Sequence, residues 1–174
     1  MKAGPVTYDE CRGLIFSGDL IAVRRRNGFL PALTRRITGS PYTHTATALW
    51  LDDGLYVAEM DGIKGVLIPL SQYASVDYDI FECPVFDRDR VKACALALLR
   101  TKIHYDYLDL ARIAAWKMMR LPLPRQDRNG LICSAFSARI YREAGAWFPR
   151  LPAIPAPSDL VEAIGTPAVL EVRQ

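Results

Sequence analysis

The stretch Gly130-Leu131-Ile132-Cys133-Ser134-Ala135-Phe136-Ser137-Ala138-Arg139-Ile140-Tyr141-Arg142-Glu143-Ala144-Gly145 decides how this chain is read. Apolar residues recur at helical spacing, which predicts a helix over residues 131–144, stopped by Gly145 and opened near Cys133. A helix N-terminus favours an anion through its dipole and unpaired N–H groups, so a cysteine placed there leans toward the thiolate. Far upstream, Tyr42-Thr43-His44-Thr45-Ala46-Thr47-Ala48-Leu49-Trp50 carries a histidine beside a β-branched, apolar run. An imidazole next to a thiolate holds its proton and later delivers it to a leaving group. The histidine comes first in the chain and the cysteine last, and that order is informative.

Strand signals fill the first half of the chain. Gly18-Asp19 turns into a short apolar strand over residues 20–23, and residues 45–51 and 55–60 are two more, joined by the hairpin signal Asp52-Asp53-Gly54. Residues 65–69 and 78–83 read as further strands. Residues 27–43 carry Gly28, Pro31, Gly39 and Pro41 and read as irregular, with one helical turn around residues 32–36. Helical periodicity then takes over. It predicts helices over residues 88–100, with Asp87 as N-cap, and 107–119, ended by Leu121-Pro122-Leu123-Pro124. The proline-rich tail holds a short helix from Ser158, read as its N-cap, and a last strand at residues 168–172. Strands followed by helices predict an α+β fold. With no repeat and no low-complexity linker, the 174 residues form a single domain, 1–174.

Composition excludes several function classes. No apolar run approaches the roughly 20 residues of a membrane helix, so no transmembrane segment is expected. The first ten residues lack the apolar core of a secretory signal, which predicts a cytoplasmic protein as synthesised, released only by lysis or dedicated export. The cysteines Cys11, Cys83, Cys94 and Cys133 form no Cys-x-x-Cys pair, and no histidine stands at metal-ligand spacing from one, so no metal is expected. Cys94 shares an apolar helix stripe with Val91 and Leu98 and reads as a buried thiol, and Cys83 before Pro84 reads as structural. There is no Gly-x-Gly-x-x-Gly turn or phosphate loop, and no cofactor is expected. A net charge of +3 is too small to imply nucleic acid, and the cluster Arg24, Arg25, Arg26, Arg35 and Arg36 has no interleaved aromatics. That cluster reads as a solvated strand end or as a basic rim for an anionic substrate.

Taken together, these residues resemble the NlpC-type papain-like cysteine peptidases. Cys133-Ser134 followed by apolar residues, Tyr141 and Gly145 is similar to that family's nucleophile helix, and Phe148-Pro149-Arg150 to the Leu-Pro-Arg that often follows. Gly18-Asp19-Leu20 resembles the family's opening Gly-Asp-Leu, His44 the histidine on the next strand, and Tyr105-Asp106-Tyr107 the Tyr-Asp segment before the nucleophile. With histidine before cysteine, the order matches the circularly permuted, YiiX/YebB-like branch, a permutation shared by lecithin:retinol acyltransferase-like enzymes. The likeness spans roughly residues 13–165. Ala135 stands where a glycine often follows Cys-Ser, and Ile132-Cys133-Ser134-Ala135 departs from the Asn-Cys-Glu-His of the acyltransferase-like enzymes.

The resemblance implies an antiparallel sheet or partial barrel packed against helices. It also implies a cysteine hydrolase that cleaves an amide bond through an acyl-enzyme intermediate, with a small peptide or cell-wall fragment as substrate. A lipid hydrolase or acyltransferase on a lipid-like substrate and a non-catalytic binding module remain as alternatives, and the oligomeric state is open. Cys133 is the nucleophile so implied and His44 the general base and acid, with His104 as the competing histidine. Glu59 is the residue that orients the imidazole, with Asp61 as its rival. Tyr42 and Ser134 are expected to line the cleft or serve the oxyanion, together with the Cys133 backbone N–H. Asp19 and Asp106 read as turn or cap residues, and Trp116, Met118 and Met119 as packing or as an acyl-chain wall.

Overall fold

The computed structural model describes residues 5–24, 29–121 and 130–173. Its elements run α1 (Tyr8–Cys11), β1 (Leu20–Val23), α2 (Phe29–Thr38), β2 (His44–Leu51), β3 (Gly54–Met60), β4 (Gly65–Pro69) and β5 (Tyr78–Phe81). They continue through α3 (Arg88–Leu99), β6 (His104–Tyr105), α4 (Tyr107–Met119), β7 (Gly130–Leu131), α5 (Cys133–Glu143), α6 (Pro157–Ile164) and β8 (Leu170–Val172). Six strands form one antiparallel sheet in the order β4-β3-β2-β1-β5-β8. The fold is α+β, with the expected antiparallel sheet packed against helices, and the sheet is not a closed barrel: among the described residues no pairing joins β4 to β8. The short segments β6 and β7 pair in parallel as a separate two-stranded piece.

Strand parity sorts the core into two layers, because successive side chains of a strand face opposite sides. Leu20, Ala22, Leu49, Ala58 and Met60 meet α3 and α5 through Val91, Ala95, Leu98, Phe136, Ile140 and Tyr141. Ile21, Val23, Ala46, Ala48, Leu55 and Val57 face the other way, against Ile15, Leu70, Tyr73 and Tyr78. Each large apolar side chain so buried contributes about 1.5–3 kcal/mol. The sheet is thus covered on both sides, and α5 is buried along most of its length because it lies between the sheet and the other helices.

Several expected turns and caps take definite roles. Asp19 accepts from the N–H groups of Phe16 (2.8 Å) and Cys83 (3.1 Å) and from the Arg88 guanidinium (2.6 Å), which ties the turn before β1 to the end of β5 and the start of α3. Gly18 has φ +89°, and a Cβ there would stand 2.7 Å from Cys83 Sγ, so both backbone and space require glycine. Tyr141 Oη donates to Gly18 O at 2.9 Å, pinning α5 to the same turn. Asp87 caps α3 and Asp106 caps α4, each accepting an N–H of the first turn.

Three expectations are corrected. Residues 29–38 form a full helix rather than one turn: Pro31 falls in its first turn, where an N–H has no intrahelical acceptor, and Gly39 at φ +64° ends it. The cap of α6 is Ala156, not Ser158: Pro157 takes the first helical position and Asp159 accepts the Ala156 N–H at 2.9 Å. Cys94 is only half-buried, while its stripe partners Val91 and Leu98 are in the core.

Gly130 lies where β7 leads into α5, and a Cβ there would meet Asp106 Cβ at 2.8 Å. Gly130→Ala must therefore displace the α4 cap. It is expected to cost about 1–3 kcal/mol, read as a lowered urea midpoint; an unchanged midpoint would mean that this close approach is not structurally required.

Candidate active site

The β2–β3 ladder runs from Leu51↔Gly54 back to Thr47↔Ala58, and His44 stands beyond its last pair, at the first position of β2. By parity His44 and Glu59 share the sheet face that points away from α5, as diagonal neighbours. His44 Nε2 is hydrogen-bonded to Glu59 Oε2, and Tyr73 Oη donates to the same oxygen. The same imidazole interacts with the Cys133 thiol at the start of α5. One ring therefore links the two sides of the sheet at its open end. All three groups are buried, with Cys133 4%, His44 7% and Glu59 2% exposed, which places the pair in a low-dielectric setting.

Electrostatics follows from this arrangement. Burial alone pushes the Cys133 thiol up. The neighbouring His44 imidazole and the N–H groups of Thr45 and Ser134 outweigh it and hold the thiol below its ordinary range. Burial alone pulls the His44 imidazole down, but the charge and hydrogen bond of Cys133, then those of Glu59, hold it protonated up to about 9. Both shifts run in the direction that favours a thiolate beside an imidazolium, with the carboxylate behind the ring stabilising the imidazolium charge.

A cleft of about 150 Å³ opens onto both groups, lined by Thr43, Asp61, Tyr105 and Tyr107 as well as His44 and Cys133. A narrower apolar recess adjoins it at Cys133, walled by Ile37, Leu110, Ile113 and Ile132. Tyr105 reaches the cleft from β6, the strand that pairs with β7 just before Cys133, and burial pushes its phenol up so that it stays a hydrogen-bond donor. Among the described residues no group of histidine, cysteine and acidic side chains could hold a metal ion.

The expected residues distribute as follows. Cys133, His44 and Glu59 come together. Asp61 lines the cleft, and its carboxylate accepts the N–H groups of Ile63 (2.7 Å) and Lys64 (2.9 Å), which shapes the turn after β3. His104 is exposed on β6. Ser134, expected to line the cleft, is fully buried and donates its hydroxyl to Pro155 O at 2.6 Å; its backbone N–H, not its side chain, serves Cys133. Tyr42, also expected there, donates instead to Asp79 Oδ2 at 2.6 Å. Asp79 is fully buried between Arg24 (2.7 Å) and Arg173 (2.8 Å), and Tyr42 lines a separate cavity beside them. Arg24 is thereby taken up by the fold, Arg35 and Arg36 sit in the last turn of α2, and Arg25 and Arg26 lie outside the described residues. Trp116, Met118 and Met119 neither pack in the core nor wall the cleft; they are exposed on α4. Tyr73 was missed altogether, because nothing local links it to Glu59.

No family model and no curated protein matches this sequence.

Two outcomes check this geometry. Alkylation of Cys133, followed by mass spectrometry, should proceed fast well below the ordinary thiol pKa of about 8.5. In His44→Ala burial is opposed only by the N–H groups of Thr45 and Ser134, so the inflection should move to higher pH; an unshifted profile would show that the imidazole does not hold the thiolate. Tyr42→Phe should lower stability by about 1 kcal/mol through the lost bond to Asp79 and leave Cys133 labelling untouched; altered labelling would return Tyr42 to the cleft.

Proposed function

We propose that the protein is a cysteine hydrolase of the circularly permuted NlpC-type, papain-like kind, and that it cleaves an amide bond in a small peptide. The observation that carries this reading is the buried contact of Cys133 with an imidazole that Glu59 backs, at the wall of an open cleft. A purely structural thiol gains nothing from a depressed pKa, whereas a nucleophile needs one. The resemblance of the Cys133 helix and the histidine-before-cysteine order support the permuted family, and peptidoglycan-like peptides are the substrate class it suggests.

In the proposed reaction the Cys133 thiolate attacks the scissile carbonyl carbon. The carbonyl oxygen becomes an oxyanion, for which the Cys133 N–H is a donor, since the first helical residue has no acceptor within the helix. The Tyr105 phenol, held protonated beside it, is a second donor. The His44 imidazolium gives its proton to the leaving nitrogen as the C–N bond breaks, and a thioester to Sγ remains. Water then attacks the thioester, His44 takes its proton, and the C–S bond breaks to release the acid and restore the ion pair. Glu59 and Tyr73 keep the ring oriented throughout.

The apolar recess of Ile37, Leu110, Ile113 and Ile132 favours a second reading on the same residues, a thioester-forming lipid hydrolase whose acyl group enters that recess. Product analysis on muropeptides and on short-chain acyl esters separates the two, and a binding module turns over neither. The expected outcome is amide cleavage that falls by at least about 10³-fold in Cys133→Ala and about 10²–10⁴-fold in His44→Ala. The pH dependence has a worked sign. Activity rises with pH as the thiol ionises, below its ordinary range, and falls again near 9 as the imidazolium loses the proton it must donate. Glu59→Gln removes one of the two charges that raise the imidazole, the other being Cys133, so its alkaline limb should move to lower pH. Turnover that survives Cys133→Ala would overturn the proposal.

A further inference from the structure

We propose that α4 docks this protein on an anionic lipid bilayer. The helix buries Ile113 and Ala115, yet it also leaves large apolar side chains on its solvent side, where a surface helix ordinarily carries polar residues. Its outward side carries Tyr107 (55% exposed), Leu108 (65%), Met118 (72%) and Met119 (66%), with Ala111 exposed between them. Its inward side carries charge: Asp109 is fully buried and paired with Arg112 (2.7 Å), which also reaches Asp106 (3.1 Å). Lys117 is turned to Asp159 on α6. Ion pairs and the buried Ile113 and Ala115 thus hold the helix to the body of the protein, and Tyr107, Leu108, Met118 and Met119 are left outside.

The surface continues past the helix. Tyr107 Oη donates to Gly62 O at 2.7 Å, which sets the exposed Ile63 (73%) beside the start of α4. At the other end Trp116 and Leu121 are half-exposed, and the Arg120 guanidinium lies over the Trp116 ring, 5.7 Å from its centroid. A contiguous exposed apolar surface of this kind marks a contact site rather than an ordinary exterior. The charge at its ends selects the occupant. Arg120 borders one end; Lys64 and Lys102, both exposed, border the other, where Lys64 bridges to His104 and the Tyr105 N–H bonds Ile63 O. Long flexible apolar side chains with an aromatic at each end and cations at the rim suit the boundary of acyl chains and anionic headgroups. Tyr107 also lines the cleft at Cys133, so a bilayer under α4 would lie at the mouth of that cleft; the docking itself does not depend on what Cys133 does.

Flotation of the full chain with phosphatidylcholine vesicles, with and without phosphatidylserine, tests the proposal. Wild type should float with the phosphatidylserine vesicles, more weakly with phosphatidylcholine alone, and less as salt rises. Leu108→Glu with Met119→Glu, and separately Leu108→Ser with Met119→Ser, should weaken binding by about tenfold or more, with circular dichroism and Cys133 alkylation unchanged. Vesicles with brominated acyl chains should quench tryptophan fluorescence, and Trp116→Phe should remove that quenching. Wild type that stays with the unbound fraction, or α4 variants that float as wild type does, would overturn it. So would a wild-type dimer in sedimentation that the same variants dissociate, because the face would then belong to a second copy.

Discussion

The imidazole of His44 is the contact on which the arrangement turns. It is hydrogen-bonded on one side to the Glu59 carboxylate, within the sheet, and interacts on the other with the thiol of Cys133, on the helix across it. A buried carboxylate, imidazole and thiol each cost free energy unless they are paired. Together they satisfy one another, with Tyr73 and the N–H groups of Thr45 and Ser134 completing the set. The fold must therefore hold β2, β3 and the start of α5 in one relation. It does so with a covered sheet, a glycine turn at Gly18 that receives Tyr141, and the short β6–β7 pairing that delivers the chain to Cys133.

The same rule explains the other buried charges. Asp79 is fully buried, yet its carboxyl lies below the ordinary range, because burial, which would raise it, is outweighed by hydrogen bonds from Arg24, Tyr42 and Arg173. That cluster ties β1, β5 and the last strand together, and it consumes an arginine and a tyrosine that otherwise look free for a substrate. Asp19 with Arg88 and Asp109 with Arg112 are built alike. What distinguishes the Cys133 group is its neighbour: the cleft reaches sulfur and imidazole directly, while the aspartates serve turns, caps and ion pairs. On the proposed reading, reactivity and stability draw on the same ion pair, since the charges that hold the thiolate also hold α5 to the sheet.

The surface divides in a complementary way. No helix among the described residues is long and apolar enough to cross a membrane. The exposed side of α4 nonetheless carries Tyr107, Leu108, Met118 and Met119, beyond the Ile113 and Ala115 that the helix buries. The cleft and this face meet at Tyr107, so whatever reaches Cys133 passes the edge of the apolar surface.

Sequence by itself determined the elements with strong local signals. The helix at residues 107–119, the β2–β3 hairpin and the helix opened by Cys133 carry their periodicity and their caps in adjacent residues, which is where short-range physics acts. It also marked Cys133, His44 and Glu59 as candidates, through the helix start, the strand setting, hairpin proximity and a family resemblance. Only the tertiary structure decided the rest. Glu59 rather than Asp61 is hydrogen-bonded to the ring, and Asp61, of the same parity, is spent on the turn that follows β3. Tyr73 joins Glu59, Tyr42 leaves for Asp79 and Ser134 for Pro155, each through a partner distant in the chain that no local pattern encodes. The direction α4 faces was equally hidden: its composition is mixed, and only packing against α2 and α6 fixes which side meets water. Local spacing sets what a segment becomes; long-range pairing of buried polar groups sets what its side chains are for.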